Sequence, residues 1–141
     1  MKLTVEEKID QIIETQPSNV AIAKINGYLK LFFYNQNILN KLAELNYQNG
    51  NMVKAGQYWF FKENKSESEE MAVGRFKIAY GNDMKLVARK LIGHGFKSPK
   101  DLNEFTKNEL FKILEEIHTT EGEIPDFAKN WYGHLKKGRE I

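Results

Sequence analysis

Hydrophobic residues recur along most of the chain at the three- and four-residue spacing of amphipathic helices. One clear stripe is formed by Leu110, Ile113, Leu114 and Ile117, at positions i, i+3, i+4 and i+7. No segment alternates hydrophobic and polar residues over more than four positions, as a half-buried strand would. The pattern predicts an all-α fold. Because the predicted loops are short, we expect neighbouring helices to form antiparallel hairpins.

Capping and breaking residues divide the chain into eight predicted helical segments. Capping boxes predict helix starts at Thr4–Glu7, Ser66–Glu69 and Thr106–Glu109. Single caps predict starts at Asn51 and Asp83, and first-turn prolines predict starts at Pro99 and Pro125. Two further helices are predicted to start at Ser18 or Asn19 and at Ile38. The predicted ends lie at Thr15–Pro17, Tyr34–Asn37, Gly50, Asn64, Gly81, Gly93 and a polar loop over Thr119–Glu123.

The run from Asn37 to Glu63 predicts two helices joined by a tight Asn-Gly-Asn turn around Gly50. Ala43 and Ala55 are small residues placed where the two helices would cross, which lets the backbones approach closely. This spacing is typical of a tetratricopeptide hairpin. The tetratricopeptide positions would be filled by Leu39, Leu42, Ala43, Ala55 and Trp59.

Two features depart from the tetratricopeptide pattern. Tyr47 lies one place beyond the usual tyrosine position, and the terminal proline is absent. An ordinary helical hairpin therefore stays open as an alternative. The preferred interpretation is a right-handed, tetratricopeptide-like stack of hairpins over residues 1–92. Residues 93–141 would then form a C-terminal helical extension or cap within the same single domain.

Composition narrows the class of protein. The 141 residues are the size of one domain, and the absence of cysteine excludes disulfides, thiolate metal sites and a cysteine nucleophile. With 21 basic and 19 acidic residues the net charge is only +2, so no strongly basic nucleic-acid-binding face is expected. No signal peptide and no membrane-spanning stretch is predicted. These features favour a cytoplasmic protein.

The segment LAELNYQNGNMVKAGQYWFF, followed by SESEE and AVGRF, resembles an uncharacterised bacterial family of small helical proteins. The resemblance covers roughly residues 15–82 and centres on an Ala-Gly-x-Tyr-Trp signature, here Ala55–Trp59, with glutamine in place of the family's arginine. It implies a tetratricopeptide-like fold without a catalytic motif. More distantly, proteins of this size and composition are similar to immunity proteins encoded beside secreted toxins, including the WapI type that blocks a tRNA-cleaving toxin.

The aromatic run Tyr58–Phe61 is the most unusual local composition in the chain. Four consecutive aromatic residues on a helix point in nearly all directions, so this helix is expected to contact neighbours on most sides. The alternative is that Tyr58 or Phe61 lines a partner-binding groove, since aromatic side chains are enriched in binding hot spots.

Acidic residues form two candidate partner-binding clusters. The first comprises Glu63, Glu67, Glu69 and Glu70, and the second comprises Glu115, Glu116, Glu121 and Glu123. The first cluster is also explained by the favourable position of acids in a helix's first turn. The second is expected to span a helix end and a loop, where acids are less favourable, and so suggests function more strongly. An acidic surface would steer and block a basic, nucleic-acid-cutting partner.

Motifs for chemistry are lacking. The sequence contains no phosphate-binding glycine loop, nucleophile motif or closely spaced metal pair, and His94, His118 and His134 are widely scattered. We therefore expect no enzyme, cofactor or metal. We also expect no membrane partner and, despite Lys129, Lys136, Lys137 and Arg139 beside Trp131 and Tyr132, no direct nucleic-acid partner.

The sequence favours a binding protein that occludes one protein partner, and the favoured partner is the C-terminal domain of a toxin. The alternative is an adaptor that holds a helical peptide. An enzyme of unrecognised type, with His94 as its base, is the least favoured hypothesis.

Overall fold

The computed structural model describes residues 2–31, 35–92 and 99–137, and every regular element within these ranges is a helix. No strand occurs among the described residues, so the predicted all-α class is confirmed. The α-helices are α1 (Val5–Thr15), α2 (Ser18–Leu31), α3 (Gln36–Gln48), α4 (Met52–Trp59), α5 (Glu67–Ala79), α6 (Met84–Ile92), α7 (Glu104–Glu121) and α8 (Lys129–Lys137). Single 3-10 turns cover Pro99–Asp101 and Asp126–Ala128. None of these helices is long and apolar enough to cross a membrane.

The chain divides into two compact units, Met1–Phe76 and Lys77–Ile141, and the division falls inside α5. We call them the first and the second unit and describe each by itself. The predicted single domain, with a subdivision after residue 92, stays a prediction. Three expectations fall on residues outside these ranges: Tyr34 at the start of a predicted helix end, a helix end at Gly93, and a reactive role for His94.

Helix starts in the first unit follow the capping residues of the sequence. In the predicted box at Thr4, the backbone nitrogen of Glu7 donates to the Thr4 hydroxyl at 3.1 Å, and the Glu7 carboxylate accepts from the Thr4 backbone at 3.3 Å. The same reciprocal pair joins Ser66 and Glu69, at 3.2 and 2.7 Å. Both boxes satisfy amide groups that a helix start leaves unpaired. Both predictions are confirmed.

Helices α3 and α4 form the most extensive helix–helix contact of the first unit. The Asn49–Asn51 turn joins them. Gly50 has the left-handed φ of 81° expected at a helix end, and the Asn51 side chain caps α4 at the nitrogen of Lys54. Ala43 and Ala55 are both fully buried, as expected of residues at a helix crossing. The α4 helix ends at Trp59, earlier than the predicted Asn64.

Gly56 in α4 lies directly against the backbone of α5. A Cβ atom added to Gly56 would stand 2.0 Å from the carbonyl oxygen of Ala72 and 2.9 Å from the backbone nitrogen of Val73. These distances are far below van der Waals contact, so only glycine permits this approach. The two helices are thereby held closer than any pair of side chains would allow.

The second unit corrects two predicted boundaries around α7. The capping box predicted at Thr106 is wrong, because α7 begins at Glu104, three residues before the start that a Thr106 cap would give. Asn103 is its N-cap and accepts a 2.8 Å hydrogen bond from the Thr106 nitrogen. The polar loop predicted over Thr119–Glu123 is also wrong at its start. The helix continues to Glu121, and Gly122 follows in the left-handed conformation, with a φ of 81°.

Prolines and one aspartate mark the remaining starts of the second unit. Pro99 opens only a 3-10 turn rather than a short α-helix, and Leu102 after it is buried. Pro125 precedes the 3-10 turn that leads into α8. Asp83 caps α6 as predicted, since its carboxylate accepts a 3.0 Å hydrogen bond from the Lys85 nitrogen.

Candidate partner-binding surface

The two aromatic candidates lie inside the first unit. Tyr58 and Phe61 are 4 % and 3 % exposed, so neither ring can reach a partner unless its surroundings rearrange. The Tyr58 hydroxyl donates to the Asn26 side chain at 3.2 Å. Burial raises the pKa of Tyr58 to about 12, although this hydrogen bond opposes the shift. The structure therefore agrees with the interpretation in which these aromatic residues are buried and α4 contacts neighbours on most sides.

A polar network surrounds Tyr58 and ties three helices of the first unit together. The Gln36 side chain on α3 donates to the Tyr58 carbonyl oxygen at 3.0 Å and to the Asn40 side chain at 2.7 Å. Tyr58 belongs to α4, and its hydroxyl contacts Asn26 on α2. Buried polar groups with such partners rigidify a core. Tyr58 is thus a structural residue here.

The first acidic cluster has a local structural explanation. Glu67, Glu69 and Glu70 occupy the first turn of α5, where negative charge stabilises a helix. Burial opposes ionisation of Glu69, but bonds from Ser66 and the 2.9 Å ion pair with Lys62 prevail and lower its pKa. Glu63 precedes the helix and is exposed, as are Glu67 and Glu70.

The second acidic cluster lies at the unfavourable end of its helix. Glu115, Glu116 and Glu121 belong to the last two turns of α7, and Glu123 follows the Gly122 cap. The last turn of a helix carries partial negative charge, which repels carboxylates. Only His118 provides a basic side chain there. Because α7 continues past the predicted end at Thr119 to Glu121, Glu121 lies in the last helical turn. The second cluster is therefore at an unfavourable helix end, whereas the first is at a favourable helix start.

Glu115 differs from the other three acids because it has an internal partner. Its carboxylate accepts a hydrogen bond from the Tyr132 hydroxyl of α8. That bond, followed by burial, raises the pKa of Tyr132. The Tyr132 ring stacks on Phe111 with centroids 5.8 Å apart, and the Lys136 ammonium lies 5.7 Å from its centroid. Glu115 thus contributes to the α7–α8 contact.

Glu116 and Glu121 are exposed and line an open groove of about 180 Å³, which we call the α6–α7 groove. Neither forms a hydrogen bond or ion pair within residues 2–31, 35–92 and 99–137. The full lining of the groove is Asn82, Asp83, Met84, Lys85, Glu116, Ile117, Thr120 and Glu121. The start of α6 and the end of α7 thus bring three carboxylates to one concave surface, of which the sequence identified two.

A second cavity of about 330 Å³, which we call the loop pocket, lies beside α6 and shares Lys85 with the groove. Its lining is Lys85, Arg89, Glu123, Ile124, Pro125, Asp126 and Phe127. The Arg89 guanidinium lies 5.7 Å from the centroid of the Phe127 ring. Lys85 and Arg89 were not predicted from the sequence as site residues. Their spacing of four residues places both on one side of a helix, but it does not reveal what lies opposite.

The remaining chemistry of the described residues is sparse. No group of three or more histidine and acidic side chains in this part of the chain could hold a metal ion. His118 is at the end of α7 with its ring 5.8 Å from that of Tyr132, and His134 is exposed on α8. The predicted candidates therefore separate into buried aromatic residues, acids at a helix start, and acids that line a groove.

Residues 2–140 match the profile of a family described as a family of unknown function (DUF6584), so the chain belongs to that family. No curated protein and no solved structure matches the chain.

Proposed function

We propose that this member of DUF6584 is a non-enzymatic protein-binding module that occludes the active surface of one basic protein partner. The observation that carries the proposal is the set of partnerless carboxylates at the end of α7. Glu121 lies against the helix dipole in the last turn of α7, and Glu116 lies one turn earlier. Neither forms an ion pair among the described residues, and both line a groove with Asp83 and Lys85. A residue that is unfavourable in its place on a helix, and has no ion pair or hydrogen bond to offset this, is expected mainly at a functional position.

Glu121 carries an energetic cost in the isolated protein. An acid in the last turn of a helix is unfavourable by roughly 0.3–1 kcal/mol. A basic partner would remove that cost and add attraction. Acids on a groove also raise the association rate with a positively charged surface, and salt weakens this effect. The expected complex therefore forms more slowly as ionic strength rises.

The partner class we favour is a secreted nuclease-type toxin, which would make this chain a bacterial immunity protein. A nuclease must bind phosphates, so its active surface is basic and complementary to the α6–α7 groove. The resemblance to immunity proteins of the WapI type supports the same class. An immunity protein of this kind acts in the cytoplasm, and cell fractionation would test that location.

We also propose a tetratricopeptide-like arrangement of antiparallel hairpins with a C-terminal helical cap. The close α3–α4 contact, the burial of Ala43 and Ala55, and the left-handed Gly50 support it. An experimental structure that gave α3 and α4 a crossing unlike that of tetratricopeptide repeats would contradict this part of the proposal.

The test is co-expression with the protein encoded by the neighbouring gene. We expect a one-to-one complex and protection of the host from growth arrest. The double variant E116Q/E121Q should associate more slowly and protect less. The matched control is E67Q/E70Q, which removes two exposed acids from the favourable start of α5 and should leave the complex unchanged. No complex, or equal loss in both variants, would overturn the proposal.

The second candidate is an adaptor that binds a helical peptide of a regulatory partner. The tetratricopeptide-like pattern favours it, because such scaffolds usually hold peptides. The two candidates differ in genomic context: a large secreted protein encoded directly upstream supports immunity, whereas a regulatory operon supports the adaptor.

A further inference from the structure

We propose that the α6–α7 groove and the loop pocket act as one furrow that selects a partner segment by a pair of opposite charges. A basic side chain would enter the groove, and an acidic side chain about one helical turn away would enter the pocket. This inference rests on the proposed function, because it specifies which feature of a protein partner the same surface recognises.

The groove has the lining that a long basic side chain requires. Ile117 and Met84 supply apolar surface for an aliphatic stem, and Glu116 and Glu121 supply unpaired carboxylates for its charged end. Asp83 adds a third carboxylate, although its oxygen already accepts the Lys85 backbone nitrogen at 3.0 Å. Lysine and arginine are the side chains that combine such a stem with a cation.

The loop pocket has the opposite preference. Of its two acids, Asp126 is neutralised by a 2.8 Å ion pair with Lys129, and Glu123 also feels the charge of Lys129. Lys85 and Arg89 have no carboxylate partner among the described residues. Arg89 is held over the Phe127 ring, at 5.7 Å, which keeps a guanidinium at the pocket without neutralising it. Counting Lys129, three cations stand against two acids at this pocket, so its net charge is positive.

The two cavities adjoin along α6. Lys85 lines both cavities and Arg89 lines only the loop pocket. Four residues of helix separate them, a rise of about 6 Å. Opposite charges four residues apart on a partner helix have the same spacing. A segment with two basic side chains could place one in the groove, but Arg89 would repel the other. This repulsion between like charges would disfavour uniformly basic partners.

The experiment is an NMR titration of the full ¹⁵N-labelled chain with three alanine-based helical peptides. They carry Arg and Glu four residues apart, two Arg at the same positions, or two Gln. We expect the Arg–Glu peptide to bind at least about tenfold more tightly than the others, a difference of about 1.4 kcal/mol. Its shifts should centre on Lys85, Arg89, Glu116 and Glu121. Equal or tighter binding of the Arg–Arg peptide, or shifts confined to other residues, would overturn the inference.

Reversing the charge of Arg89 provides a second test of the inference. R89E should bind the Arg–Arg peptide better than the Arg–Glu peptide, whereas R75E, at an exposed arginine of the first unit, should keep the original preference. Circular dichroism would verify that both variants stay folded. If the co-expressed partner binds R89E and the unchanged protein equally well, the inference fails while the proposed function stands. If the peptide preference is found but no toxin binds, the proposed function fails and the inference stands.

Discussion

The two units use their polar and small residues in different ways. In the first unit, Gly56 and Tyr58 of α4 lie inside, where one allows a helix to approach and the other holds a hydrogen bond between helices. In the second unit, Glu116 and Glu121 on α7 stay exposed beside an open groove and lack a partner among the described residues. Unusual helical residues are therefore buried in packing contacts in the first unit and exposed beside a groove in the second.

The largest expected effect on stability tests the close packing of Gly56 in the first unit. G56A should destabilise the protein by about 3 kcal/mol, because the new methyl group would overlap the Ala72 backbone, which cannot move like a side chain. The matched control is G74A on α5, where an added Cβ meets nothing within 4 Å. That change should stabilise the protein by up to about 1 kcal/mol. Urea denaturation measures both, and equal effects would contradict the packing argument.

The second effect depends on pH. The unfolded pKa of tyrosine is near 10 and the folded pKa of Tyr58 is about 12. The stability due to its protonated form is therefore complete below pH 10 and is lost as the pH rises toward 12. The loss is roughly 3 kcal/mol, at about 1.4 kcal/mol for each pKa unit.

Y58F tests this effect. The variant should be less stable than the parent at pH 8, by about 1 kcal/mol for the lost bond to Asn26, and more stable near pH 12. Free energies of unfolding from pH 8 to 12 would show the crossing. Y132F, at a partly exposed tyrosine of the second unit, provides the comparison and should lack a crossing of that size. Parallel curves for Y58F and the parent would contradict the burial argument.

The third effect compares helix caps in the two units. S66A and N103A should each destabilise the protein by about 1 kcal/mol, because each removes the side-chain acceptor of a helix-start nitrogen. Thermal and urea unfolding would measure the losses. S68A provides a control at an exposed serine in the first turn of α5, and its effect should be smaller than that of S66A.

The smallest expected effect has the opposite sign. E121Q should stabilise the protein by about 0.5 kcal/mol, because it removes a carboxylate from the negative end of α7. E67Q, at the start of α5, should instead destabilise slightly. Low ionic strength maximises both differences. A stability loss in E121Q would mean that Glu121 has a structural role, and the recognition side of the comparison would fail.

Local signals made much of the fold predictable. The boxes at Thr4 and Ser66, the left-handed Gly50 and the caps at Asn51 and Asp83 each depend on residues within four positions, and each was predicted correctly. Thr106 failed because two cap signals compete there. Asn103 takes the helix start three residues earlier, and Thr106 becomes a fully buried helical residue.

The candidate surface was less predictable because it depends on contacts between distant segments. The position of Glu116 and Glu121 in an acidic cluster was visible, but the polar pair Thr119 and Thr120 suggested a loop where α7 continues. Lys85 was not identified, since its position beside Glu116 and Glu123 requires α6, α7 and the following loop to be assembled. The aromatic run at Tyr58 was recognised as unusual, but composition alone did not decide that it is buried.

The Asn49-Gly50 pair at the α3–α4 turn has a consequence for the chemical ageing of the protein. Asparagine followed by glycine deamidates when the glycine nitrogen attacks the asparagine side chain and closes a succinimide ring. Here the Gly50 nitrogen donates a 3.0 Å hydrogen bond to the Tyr47 carbonyl oxygen, so ring closure requires that bond to open first. The rate at which Asn49 deamidates therefore reports how often this turn opens, and mass spectrometry of stored protein can measure that rate.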